Sequence, residues 1–195
     1  MAKYTISDIF EGNYQVSQRY GVNPDYYKPY GLLAHEGVDW ATPVGVWLII
    51  PFEKGQILRA AYDPAKYGYY IVIWDSIQRC AVWYCHLSSI NCNVGQILSK
   101  GSRVGKTGSS GNVTGSHLHC NFVETDQYAN RLNIGNGYQG FMNILDTNLV
   151  EWKLAGAAPL PPQTADQLVK TIKDKINTGL TDTEFRSWTR QLLKV

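Results

Sequence analysis

The chain is poor in the features that mark a membrane protein, a disulfide scaffold or a nucleic-acid binder. It has no apolar run of roughly 18 residues, the length that signals a membrane-spanning helix. Its start, MAKYTISDIFEGN, lacks the apolar stretch of a secretory signal, so synthesis in a cytoplasm without a leader is expected. There are four cysteines and no CxxC pair, which argues against a structural zinc knuckle. Charge is scarce and balanced: the net value is +2, and residues 1–150 carry eleven Lys/Arg against eleven Asp/Glu. No basic stripe is available to track a phosphate backbone. Histidine is rarer still, with four in the whole chain.

What is present points to a β-rich globular protein. At 195 residues and 44% apolar content the chain can bury a real core. Thirteen tyrosines, six tryptophans and eighteen glycines accompany short apolar runs broken by Gly, Asn and Ser. That pattern predicts strands joined by many turns. NYQVSQRYG reads as a first strand, and residues 22–33 as an irregular loop with three tyrosines. β-rich runs follow through RCAVWYCHLS, and a Gly/Ser-rich stretch then closes on HLHCNFV.

Composition changes after residue 150. A catalytic or binding β-domain is expected over 1–150, a Pro/Ala linker over 151–163 and a helical appendage over 164–195. Thr164 with Gln167 and Thr181 with Glu184 form capping boxes, and Leu180 with Phe185 a hydrophobic staple. The stripes Leu168, Ile172, Ile176 and Phe185, Trp188, Leu192 are too small to bury themselves, so the appendage is expected to dock on the β-domain, on a second copy or on another assembly.

All four histidines fall in three strings, HEGVD (35–39), YCHLS (84–88) and GSHLHC (115–120). His117 and His119 are two apart in a strand-like run, so both project from one face. By the same alternation Cys85 lies opposite His86 and Cys120 opposite His119, which predicts buried free thiols; a Cys85–Cys120 or Cys80–Cys92 bridge is the less favoured alternative. A loop entering a strand can bring His35 and Asp39 together. A catalytic zinc takes three N or O ligands and keeps one position for water. Five candidates, His35, Asp39, His86, His117 and His119, therefore leave two groups for proton transfer or oxyanion stabilisation.

Competing motifs fail on inspection. HEGVD is not the HExxH helix, because position 39 is Asp and position 37 Gly. GSRVGKT has three residues between its glycines where a phosphate-binding loop needs four, and NVT at 112–114 is read as a chance match to a glycosylation acceptor. Glu36 is read as a solvated loop residue.

The order HxxxD, a strand ending in HLS, and a Gly/Ser-rich loop closing on HLH resembles the lysostaphin-type (LytM-like) zinc metallopeptidases, which cleave peptide cross-links of bacterial peptidoglycan. The resemblance covers about Val16 to Glu124. It implies an antiparallel sheet forming the floor of a loop-walled groove, one Zn²⁺ on His35, Asp39 and His119, and catalytic roles for His86 and His117. Cys85 and Cys120 depart from the pattern and are expected to face away from the metal. The activity implied is a zinc endopeptidase acting on the cell wall, after release or as part of a phage virion, with the appendage serving an oligomer or virion partner. A non-catalytic wall-binding or activator module of the same fold is the alternative, and a nucleic-acid binder is disfavoured by the neutral 1–150 region.

Overall fold

The fold is taken from a computed structural model that describes residues 2–153. The helical appendage expected at 164–195 and most of the expected linker lie outside the described residues. In chain order the elements are β1 (Tyr4–Ile6), β2 (Val16–Gln18), α1 (Pro24–Tyr27) with a 3₁₀ turn at Lys28–Tyr30, β3 (Val38–Trp40), β4 (Trp47–Ile49) and β5 (Lys54–Asp63). They continue as β6 (Gly68–Asp75), β7 (Cys80–Leu87), β8 (Ser89–Ile90), β9 (Ile97–Ser99), β10 (Arg103–Lys106), β11 (Leu118–Glu124), β12 (Phe141–Met142) and β13 (Val150–Trp152). The protein is mainly β, as its composition implies, and α1 is the one α-helix among the described residues.

The principal sheet is antiparallel with strand order β2-β3-β11-β7-β6-β5-β9, and β12 adds to β11. A three-stranded sheet, β4-β10-β8, and a parallel pair, β1-β13, complete the structure. The β13 pairing, with Lys153 N–H donating to the Ile6 carbonyl at 2.7 Å, carries the β-domain past Val150.

Both faces of the central strands are covered, so β6, β7 and β11 read as nearly continuous apolar runs instead of alternating ones. One face sends Ile71, Ile73, Val82, Tyr84, Cys120 and Phe122 into the main core. The opposite face sends Val72, Ala81 and Val123 against Phe141, which the chain brings back over the sheet. Tyr4 meets Phe122 edge-on at 5.1 Å, a favoured aromatic arrangement. Each such buried side chain contributes about 1.5–3 kcal/mol, which fixes the register of β11 and hence the positions of its polar residues. All four cysteines are buried and free.

Candidate metal centre and cleft

The polar end of β11 lies beside β3 and β7. The register places His119 directly across from Asp39 on β3 and from Cys85 on β7. Directly opposed residues share a sheet face, so His119, Asp39 and Cys85 lie together, while Leu118, Cys120, Val38 and Trp40 point into the core. The expectation that Cys85 faces away from this site is therefore corrected. His86 has φ 63°, in the left-handed region, at an irregularity in the pairing of β6 with β7. This departure from regular strand geometry breaks the alternation on which the expectation rested.

The three side chains converge tightly. His119 Nδ1 lies 2.8 Å from Asp39 Oδ1 and 3.0 Å from His35 Nε2, and His35 Nε2 is 3.3 Å from Asp39 Oδ1. His35 is fully buried, and its Nδ1 lies 3.1 Å from the Arg19 carbonyl. Donation from Nδ1–H leaves the Nε2 lone pair facing the cluster. Tyr27 stacks on the same ring with centroids 5.2 Å apart, and backbone bonds from Gly21 N–H to the His35 carbonyl and from His35 N–H to the Val22 carbonyl, both 2.9 Å, tie the segment down. Gly37 is required by close approach: a Cβ there would stand 2.3 Å from Asn121 Oδ1 and 2.7 Å from His119 Cε1.

This donor set fits zinc. With bonds of about 2.0–2.1 Å to N and O, tetrahedral ligand atoms stand roughly 3.3 Å apart, close to the separations seen. His35, Asp39 and His119 form the one such group of His, Cys, Asp and Glu side chains found among the described residues. The other two histidines stand at its edge. His86 Nδ1 is 2.9 Å from the Ser110 carbonyl, His117 Nδ1 is 3.0 Å from the Gly115 carbonyl, and the two rings are 4.9 Å apart. His117 Nε2 lies 3.9 Å from Asp39 Oδ2. In both rings the Nδ1–H contact leaves an Nε2 lone pair available.

Asp39, His86, His117 and His119 floor a cleft of ≈ 870 Å³. Tyr26, Tyr27 and Tyr30 form one wall, and the Asn112–Ser116 stretch of the Gly/Ser-rich loop forms the other. Tyr26 and Tyr30 are exposed, whereas Tyr20, just before the loop, packs on Tyr138 at 4.6 Å. Glu36, read from sequence as solvated, is only 1% exposed and paired with Lys66 at 2.8 Å.

Comparison with known proteins agrees with this geometry. A family model described as "Peptidase family M23" matches residues 33–131, half of the chain. Peptidoglycan DD-endopeptidase ShyA of Vibrio cholerae is 35% identical over 89 residues, 46% of this chain and 20% of that protein. Morphogenesis protein 1 of Bacillus phage B103 is 36% identical over 81 residues, 41% of this chain and 20% of that protein. The chain spans about a fifth of the length of the curated relatives it matches. Among solved structures, the catalytic domain of the antimicrobial peptidase lysostaphin from Staphylococcus simulans superposes with a TM-score of 0.55 at 25% identity, covering 68% of this chain and 90% of that one.

The cluster's field draws positive charge. Burial alone would raise the Asp39 carboxyl, but hydrogen bonds with His119 and His35 hold it well below the usual carboxylate range. Burial would lower His119, and the Asp39 carboxylate outweighs it, so that ring is raised. His86 goes the other way: burial, followed by the charges of His119 and His117, pushes it down to about 4. Its folded value lies below the unfolded value of about 6.5, so between these limits the unfolded chain binds more protons. His86 therefore contributes stability above about pH 6.5 that is lost as pH falls towards 4. In urea titrations of the zinc-free chain, the wild type is expected to lose about 2–3 kcal/mol more than His86→Gln over that window; parallel pH profiles would contradict the assignment.

Proposed function

The chain belongs to peptidase family M23, whose model covers half of it, and on that premise we propose that it is a zinc-dependent endopeptidase that hydrolyses peptide cross-links of bacterial peptidoglycan. The observation that carries the reading is the convergence of His35 Nε2, Asp39 Oδ1 and His119 Nδ1, with two further histidines beside them on an open cleft. The name of one matched relative, a peptidoglycan DD-endopeptidase, supports the substrate class, and that of the antimicrobial peptidase lysostaphin supports the peptidase activity.

His35, Asp39 and His119 would hold the metal. Zinc bound there supplies a Lewis acid and a water whose pKa falls to about 7. The surrounding residues do the rest. The Arg19 carbonyl fixes the His35 tautomer, and the Ser110 and Gly115 carbonyls fix those of His86 and His117. Each of the latter two rings then presents an Nε2 lone pair to the cleft. His86 and His117 take up the proton lost by the attacking water and deliver it to the leaving amine; the imidazolium formed in between donates to the oxyanion. The aromatic wall and the small-residue wall would seat an extended peptide across this floor.

The finer setting is a bacteriophage lysin or a virion-associated wall-degrading protein, acting on the wall after release or from the particle. The similarity to a phage morphogenesis protein supports it. In this setting residues 164–195 would bind a second copy or a virion partner.

His119→Ala is expected to lose stoichiometric zinc and all lysis of purified peptidoglycan. His117→Ala is expected to keep zinc and lose about 10²–10⁴-fold in rate. Mass spectrometry of the released fragments identifies the bond cut. Undiminished lysis by His117→Ala, or intact cross-links after digestion by the zinc-loaded wild type, would overturn the proposal.

A further inference from the structure

Beside the metal cluster the fold buries a second set of polar groups that the hydrolytic reading does not use. His119 turns Nδ1 toward Asp39 and His35, so its Nε2 points away from the cluster; that atom is buried without a hydrogen-bond partner. Five other buried side-chain atoms among the described residues share this condition, and three of them are Asn121 Oδ1, Asn121 Nδ2 and Glu36 Oε2. An unpaired buried polar atom is destabilising, and four from three neighbouring residues make an unusual concentration.

The three residues meet at Gly37. His119 and Asn121 are two apart on β11 and share a face. The position of a Cβ on Gly37 lies 2.3 Å from Asn121 Oδ1 and 2.7 Å from His119 Cε1, the ring carbon bonded to Nε2. Glu36 is the next residue along the chain. Its Oε1 accepts from Lys66 Nζ at 2.8 Å, and Lys66 Nζ also rests over the Tyr67 ring at 4.6 Å. One end of Glu36 is thus anchored, while Oε2 is buried without a partner, and the Glu36 charge is close enough to act on His119.

We infer that Lys66, Glu36 and Asn121 form a positioning relay for His119: Lys66 holds Glu36, Glu36 Oε2 accepts from Asn121 Nδ2, and Asn121 Oδ1 accepts the His119 Nε2–H, each of these two links made through a bridging water. The count of groups closes. Two donor atoms, Nε2 and Nδ2, match two acceptor atoms, Oδ1 and Oε2, so all four atoms now lacking partners acquire one. Metal ligation through Nδ1 requires the neutral ring to carry its proton on Nε2, so the relay selects the ligating tautomer and fixes the ring plane. Gly37 permits this because any larger residue would separate Asn121 from the ring. The inference rests on the zinc reading of the cluster but assigns residues outside the ligand set and the proton-transfer pair.

The test uses the full chain. Zinc affinity is measured by competition with a chromophoric chelator for wild type, Glu36→Gln, Lys66→Met and the surface control Glu53→Gln. The same proteins labelled with ¹⁵N-histidine report the His119 Nε2–H by NMR, and near-ultraviolet circular dichroism reports the fold. Glu36→Gln is expected to weaken zinc about 10–100-fold, the range for outer partners of a ligating histidine. It should also expose the His119 proton to rapid solvent exchange. Lys66→Met should shift both readouts in the same direction, and Glu53→Gln neither. If Glu36→Gln fails to fold, Lys66→Met carries the test alone, since that side chain is 33% exposed. Folded variants with zinc affinity within about twofold of wild type and an unchanged His119 signal would overturn the relay. Failure of the wild type to bind zinc would instead overturn the reading of the site, and the relay with it.

Discussion

The Asp39 carboxylate is the point on which the rest of the site depends. It stands 2.8 Å from His119 Nδ1 and 3.3 Å from His35 Nε2, and it is buried. A buried carboxylate is costly unless paired and hydrogen-bonded. Two imidazoles meet that requirement here, and the register of β3 against β11 decides that they can. His119 sits directly across from Asp39 because Leu118 and Cys120 on one side, and Val38 and Trp40 on the other, are packed into the core. A one-residue slip would turn every polar group of β11 inward and every apolar group outward. The hydrophobic core thus sets the position of the charged cluster.

A second consequence of that register is the difference between the two pairs of histidines. His35 and His119 are held among buried groups beside the Asp39 carboxylate, which favours added positive charge on the His119 ring. His86 and His117 face the cleft, each with its Nδ1 against a backbone carbonyl. Burial keeps His86 neutral down to about pH 4. The fold therefore provides a cation-attracting centre beside two oriented imidazoles, within one cleft walled by tyrosines on one side and by small residues on the other.

Much of this was legible in the residues themselves. The β-rich class follows from aromatic and β-branched runs broken by glycine, and the spacing of two in HLH places His117 and His119 on one face. The structure has both rings facing Asp39. Strict alternation failed at one point. It set Cys85 away from the site, whereas Cys85 lies across from His119, because His86 adopts a left-handed φ at a strand irregularity that no residue type there announces. Glu36 was misread for a different reason: its partner Lys66 is thirty positions away, and only the folded chain brings the two together. The assignment of three ligands among five candidates came from family resemblance, since spacing alone leaves the members of HLH equivalent.

The central claim is the division of labour among these five side chains. It is tested most directly by crystals of the zinc-loaded full chain, with anomalous difference maps collected at the zinc absorption edge. The account predicts one peak, at about 2.0–2.2 Å from His35 Nε2, Asp39 Oδ1 and His119 Nδ1, with His86 and His117 unligated. A peak coordinated by His86 or His117 in place of any of the three, or no peak at this cluster, would contradict it.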